Sequence, residues 1–233
     1  MALVVRKAQD RGHAQHGWLE SYHTFSFSNY YDPRHMDFRV LRVINEDFVQ
    51  PGKGFSEHGH QDMEILTWVL EGALQHKDSL GNGSVIRPGD LQYMSAGTGV
   101  THSEFNASDQ ERVHLLQIWI VPDKEGAKPR YGQKSFGPVI VPGALTLLAS
   151  SNGDKDSIAM RADAKLFAGE LTAAKPAIYA LSTLRNAWLQ VTHGTLQVNK
   201  VDAAAGDGVA ISQESKLAFS TTGTAKFLLF DLP

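Results

Sequence analysis

From residue 38 onward, short runs of apolar and β-branched residues are broken repeatedly by glycine, proline and Asn/Asp positions. That punctuation predicts an all-β protein. Phe38 to Val49 reads as one strand and Glu64 to Leu70 as a second. Arg112 to Val121 reads as a third, with apolar residues on both faces, as in a strand buried between two layers. Ser79-Leu80-Gly81-Asn82-Gly83 has the make-up of a loop or hairpin end. Arg87-Pro88-Gly89-Asp90 reads as a tight turn in which proline sets φ and glycine can take a positive φ. Residues 122–142 are rich in Gly, Pro and charge and read as a connection with little regular structure.

An internal repeat accompanies this pattern. Val69-Leu70-Glu71-Gly72-Ala73-Leu74-Gln75 reappears as Val191-Thr192-His193-Gly194-Thr195-Leu196-Gln197, and Gly89-Asp90 reappears as Gly206-Asp207. The shared strand-turn-strand context predicts a duplicated β-barrel. The histidines are divided unevenly between the copies: nine of the ten precede residue 115, leaving His193. If the halves are repeats, the first holds the chemistry.

Composition narrows what that chemistry can be. With 233 residues and 42% hydrophobic content the chain can bury a proper core. A formal charge of −3 supplies no overall basic field, so neither nucleic acid nor an anionic membrane is expected as a partner. There is no cysteine, hence no disulfide, thiolate metal site or cysteine nucleophile. The first residues show no apolar stretch of signal-peptide length, and nowhere do about 18 consecutive apolar residues occur, so a cytoplasmic location is expected.

Two histidine pairs remain. His58-Gly59-His60 follows the glycine-rich Pro51-Gly52-Lys53-Gly54, and His102-Ser103-Glu104 follows Ala96-Gly97-Thr98-Gly99. Side chains alternate across a strand, so residues two apart face the same way and both pairs can point into one barrel. One H-x-H alone would more often be two surface histidines. Two pairs after two glycine turns supply three imidazoles and a carboxylate, enough for a mononuclear transition-metal site with open positions. Glu104 is the expected carboxylate. Glu64 lies four residues from His60, roughly 13 Å along an extended strand, which is far for sharing an ion. Neutral imidazole suits iron, copper, nickel, zinc and manganese, so these residues alone do not choose the ion. His76 reads as hydrogen-bonded or exposed, and His114 as a satisfied core group. Phe25, Phe27, Trp68 and Trp119 read as core packing, with a place in a substrate wall second.

Residues 52 to 72 and 89 to 106 resemble the two signature stretches of the cupin superfamily. Gly52, His58, His60, Glu64 and Gly72 fill the first, with the last spacing one residue long, and Gly89, His102 and Asn106 fit the second. Ser95-Ala96-Gly97 stands two residues further from the histidine than the usual P-x-G, which points to a subfamily. His23-Thr24-Phe25-Ser26-Phe27, Tyr31-Asp32-Pro33, Leu41-Arg42-Val43-Ile44-Asn45-Glu46-Asp47 and Gly89 to Gly97 with His102-Ser103-Glu104 resemble the pirin family. The resemblance is faint in the C-terminal half.

That resemblance implies an all-β bicupin of two tandem jelly-roll repeats. The expected divisions are an N-terminal metal-binding cupin over 1–121, a connection over 122–142 and a C-terminal cupin without metal ligands over 143–233. It implies metal ligation by His58, His60, His102 and Glu104, with Gly59 where the family commonly has proline. One divalent transition metal per chain is expected, iron(II) first, with manganese, nickel, copper or zinc compatible. Bacterial pirins resemble flavonol dioxygenases, so the implied activity is that of a quercetin 2,3-dioxygenase-like oxidoreductase. Its partners are a flavonol-like small molecule and dioxygen, and Glu104 is both ligand and general base. Other members look like redox-sensitive co-regulators of a protein partner, which is the alternative here. This chain carries no basic run for nuclear targeting. A zinc-dependent isomerase or hydrolase is a third expectation.

Overall fold

The computed structural model describes residues 3–233, and no helix among them is long and apolar enough to cross a membrane. The chain is all-β, with three single-turn 3₁₀ segments between strands. It divides into two compact units. One comprises Gly12–Gly137 with Met160–Ala162; the other comprises residues 3–11, Pro138–Ala159 and Asp163–Pro233.

The first unit contains two sheets. The larger runs Arg130–Ser135, Asp90–Ser95, Glu64–Glu71, Val113–Ile120, Leu41–Val49, Leu19–His23, Gly12–Gln15. The smaller runs Gly54–His60, Val100–Asn106, Leu74–Asp78, Gly83–Ile86. Glu64–Glu71 is paired on both edges and buried from Glu64 to Val69, as its apolar run predicts. The strand expected from Phe38 begins instead at Leu41. Phe38 and Leu41 exchange backbone hydrogen bonds of 2.9 and 3.0 Å across a tight turn with Arg39 at φ 60.

Two further expectations change. Val113–Ile120 is not apolar on both faces: Gln117 and Trp119, two apart, are only partly buried and open onto a cavity. Residues 130–135, expected to lack regular structure, form the edge strand of the larger sheet in register with Asp90–Ser95. Its side chains Tyr131 and Gln133 hydrogen-bond Ser84 Oγ at 2.6 Å and the Val85 carbonyl at 3.1 Å.

The second unit is built on a ten-stranded sheet whose main path is Leu3–Arg6, Gly208–Ile211, Asn186–Val198, Thr224–Leu232, Lys165–Thr172, Leu145–Ser150, Ile158–Ala159. Leu3–Arg6 therefore belongs to this unit, unlike the expected division at 121, because it pairs with Gly208–Ile211. Phe167, Leu189, Leu217, Phe219, Phe227 and Leu229 lie in its core.

The repeat is physical. Gly72 and Gly194 have φ of 75 and 70, and Gly89 and Gly206 have φ of 90 and 85. A Cβ on Gly72 would lie 2.8 Å from the Arg112 carbonyl oxygen, and one on Gly194 would lie 2.1 Å from that of Thr224. Glycine is required at both places by the same turn against the same neighbouring strand position.

Candidate metal centre

His58 and His60 sit two apart on Gly54–His60; His102 and Glu104 sit two apart on Val100–Asn106. The strands are antiparallel neighbours with His58 directly opposite His102, and a bulge falls between His102 and Glu104. Cross-strand partners lie on one face. The His58–His102 ring centroids are therefore 4.4 Å apart, and His60 is 4.8 Å from each of the other two. One ring nitrogen from each of the three lies within 4.8 Å of the others.

Proton placement suits ligation. The Nδ1 of His58 is 2.8 Å from the Ser56 carbonyl oxygen, so Nδ1 donates and Nε2 keeps its lone pair. His102 Nε2 is buried without a hydrogen-bond partner. Burial, then the neighbouring His58, holds His60 down to about 4. Burial followed by His58, His60 and His76 holds His102 down to about 3. Both imidazoles are thus neutral donors at physiological pH. A buried, unpartnered ring nitrogen beside two further imidazoles fits a mononuclear transition metal.

Glu104 joins a second trio, His76, His102 and Glu104, with His102 common to both. Its carboxylate accepts from Gln117 Nε2 at 2.9 Å and from Thr67 Oγ at 3.5 Å. Burial, and then the charge of Asp47, pushes Glu104 up to about 7 against these hydrogen bonds. Glu64, the other carboxylate considered, is elsewhere: it accepts from the Tyr93 hydroxyl and, at 2.8 Å, from the Arg161 N–H.

His76 is fully buried and reaches Asp78 at 3.2 Å through Nε2 and His102 Nδ1 at 3.5 Å through Nδ1. His114 is satisfied by Glu46 at 2.8 Å and stacked on Phe48. Phe25 and Trp68 are buried, whereas Phe27 and Trp119, expected first as core, line the cavity. That cavity is about 810 Å³ and is also bordered by His58, His60, Glu104 and Gln117.

Sequence reasoning missed the opposite wall. His23 pairs with Asn45, Asn45 with Gln117, Gln117 with Thr67 and Thr67 with Gln92, so five neighbouring strands put a polar residue at one register position. Two residues along, Ser21 pairs with Asp47 and donates to it at 2.5 Å. Polar residues recurring inside apolar strands were the available signal. Their alignment depends on register, which strand sequences read singly do not contain.

Comparison with known proteins gives the family. The family model described as Pirin matches residues 4–120, and that of the quercetinase C-terminal cupin domain matches residues 147–232. The chain is 45% identical over 231 residues to the quercetin 2,3-dioxygenase of Escherichia coli K12, covering 99% of each. It is 39% identical to a pirin-like protein of Caulobacter vibrioides, covering 98% of this chain and 99% of that one. The crystal structure of the bacterial pirin YhhW from Escherichia coli in complex with nickel(II) superposes with TM-score 0.94 at 44% identity, covering 99% of each chain. With two cupin-type domains and relatedness along its whole length, the chain belongs to the pirin family.

Proposed function

We propose that this protein is a metal-dependent dioxygenase of the quercetin 2,3-dioxygenase type, opening the heterocycle of a flavonol with dioxygen. The observation that carries the reading is the convergence of His58, His60 and His102, with His58 and His60 on the wall of a cavity large enough for a tricyclic aromatic. Whole-length relatedness to the Escherichia coli quercetin 2,3-dioxygenase and to a pirin crystallised with nickel(II) supports it.

On this reading His58, His60 and His102 hold one divalent ion, with Glu104 as the fourth ligand. Iron(II) is the expected ion; nickel, manganese, copper and zinc suit the same donors. A redox-active ion supplies Lewis acidity toward the substrate oxygen and access to dioxygen chemistry. The chain's own residues do the rest. Gln117 and Thr67 orient the Glu104 carboxylate, which accepts the proton of the flavonol 3-hydroxyl when it is off the ion. Trp119, edge-on to His60 at 4.9 Å, and Phe27, edge-on to Trp119 at 5.3 Å, offer aromatic surface to the flat substrate.

The test is metal analysis of protein purified without chelator, then oxygen uptake and loss of flavonol absorbance against free metal. Quercetin-dependent uptake by wild type and none by His58→Ala/His102→Ala is the expected result. Equal rates for the two proteins with every candidate metal would transfer the reading to a non-catalytic pirin acting on a protein partner.

A further inference from the structure

The lining of the histidine cavity contains two carboxylates, Asp47 and Glu104, and no lysine or arginine. Glu104 is engaged by Gln117 and Thr67. Asp47 differs. It is 4% exposed, Ser21 donates to its Oδ1, and among the described residues nothing donates to Oδ2. Its neighbour across the other strand is Leu115, which has nothing to donate. Burial, then the charge of Glu46, pushes Asp47 up to about 6, with only Ser21 and His114 opposing. A carboxylate oxygen that opens onto the cavity without a protein donor is free to accept from a ligand hydroxyl, and hydrogen bonds to a charged acceptor are the stronger ones.

The position of Asp47 is built, not incidental. Ser21–Asp47 and His23–Asn45 are cross-strand pairs two residues apart on one face, so the carboxylate lies beside the polar row that runs through Asn45 and Gln117. His23 Nδ1 is 2.9 Å from Asn45 Oδ1, and the Thr67 hydroxyl is shared between Gln117 Oε1 at 3.1 Å and Glu104 Oε1 at 3.5 Å, so the row is braced at two of its strand junctions. Asp47 is therefore held on the larger sheet, while the histidines are on the smaller one. A planar ligand between them meets nitrogen donors for an ion on one side and the Asp47 carboxylate on the other.

We propose that Asp47, held by Ser21, is the specificity-determining acceptor for a second phenolic hydroxyl, and that the cavity selects uncharged polyhydroxylated aromatics over carboxylic acids. A carboxylate-bearing ligand would bring a further negative charge beside Asp47 with no lysine or arginine in the lining to meet it. The inference rests on the histidine cavity being the substrate site, as proposed above, but it does not require turnover.

The test is anaerobic calorimetric binding to metal-loaded protein, comparing quercetin with 3-hydroxyflavone, which keeps only the hydroxyl next to the carbonyl. Wild type binds quercetin at least about 10-fold more tightly, the scale of one hydrogen bond to a charged group. In Asp47→Ala the gap closes to within about twofold, Asp47→Asn retains part of it, and a carboxylated 3-hydroxyflavone binds Asp47→Ala better than wild type. Metal content stays unchanged throughout, since Asp47 is not among the clustered donors. If Asp47→Ala folds poorly, Ser21→Ala, which frees the carboxylate to turn from the position that Ser21 fixes, should still narrow the gap. An undiminished gap in Asp47→Ala or in Ser21→Ala and Asp47→Asn overturns the inference and leaves the dioxygenase reading intact. So does preferential binding of the carboxylated ligand by wild type, or no gap in wild type. An Asp47-dependent gap without oxygen uptake sinks the dioxygenase reading and leaves this inference standing.

Discussion

In the first unit the strand Val100–Asn106 lies between Gly54–His60 and Leu74–Asp78; in the second, Lys216–Ser220 lies between Ala177–Ala180 and Asn186–Val198. The two strands occupy the same place after the repeated Gly-Asp turn. One buries His102 and Glu104 two residues apart, the other Leu217 and Phe219. Phe219 stacks on Phe227 at 4.9 Å, and the interior that holds a cavity in one unit is apolar packing in the other. One backbone plan thus serves chemistry or stability according to which side chains sit at alternate positions of one strand. The unit with the histidines keeps buried polar groups that a packed core would replace, and such groups are tolerated where a ligand satisfies them.

The strongest way to break this comparison is at the histidines. His58→Ala/His102→Ala should reduce metal from about one equivalent per chain to near none and abolish quercetin-dependent oxygen uptake, whereas His193→Ala, on an exposed position of the second unit, should change neither. Metal analysis on tag-free protein checks both, and loss of metal in His193→Ala would end the asymmetry. Glu104→Gln separates holding the ion from moving a proton: turnover should fall about 10²- to 10⁴-fold while metal content changes much less. Parallel losses of turnover and metal would make Glu104 a ligand only.

The second unit should respond in stability instead. Phe219→Ala should destabilise it by about 3–5 kcal/mol, read from denaturant unfolding. A smaller and graded effect is expected at the repeated turn. Alanine at Gly194 or Gly72 imposes a left-handed conformation worth about 1–3 kcal/mol, and Gly194→Ala should be worse because its Cβ would lie 2.1 Å from a carbonyl oxygen against 2.8 Å at Gly72. Equal unfolding midpoints for the two variants would show that the strands yield equally.

The smallest effect is in pH. Glu104 is pushed up from 4.5 to about 7 in the metal-free fold, so the folded chain binds its proton more tightly than the unfolded chain. The stability this contributes is present below about 4.5 and lost as pH rises through about 7. Metal-free Glu104→Gln should therefore gain on metal-free wild type by roughly a few degrees in Tm as pH is raised from 4 to 8. A constant difference in Tm across that range would refute the burial of an ionisable Glu104.

The expected strands over Glu64 to Leu70 and Arg112 to Val121 are present within one or two residues at their ends, because each carries a long apolar run. Arg130–Ser135 was illegible for the opposite reason. It is an edge strand without buried positions, held by backbone pairing and by Tyr131 and Gln133, so it has no apolar alternation to read. The two histidine pairs were legible because parity within one strand is a local property: His58 with His60, and His102 with Glu104, follow from a spacing of two.

What lies opposite them was not. Local sequence determined the all-β character, the repeated glycine turns and the inward parity of each pair, since all three depend on residues close along the chain. Only the tertiary structure decided that His58 faces His102, that Glu64 is spent on Tyr93 and Arg161, and that His76 stands behind His102. It alone aligned His23, Asn45, Gln117, Thr67 and Gln92 across five strands and set Asp47 beside that row on the cavity. Strand register is set by the sum of pairings across the sheet, and a slip of one residue would have turned every one of those side chains to the other face.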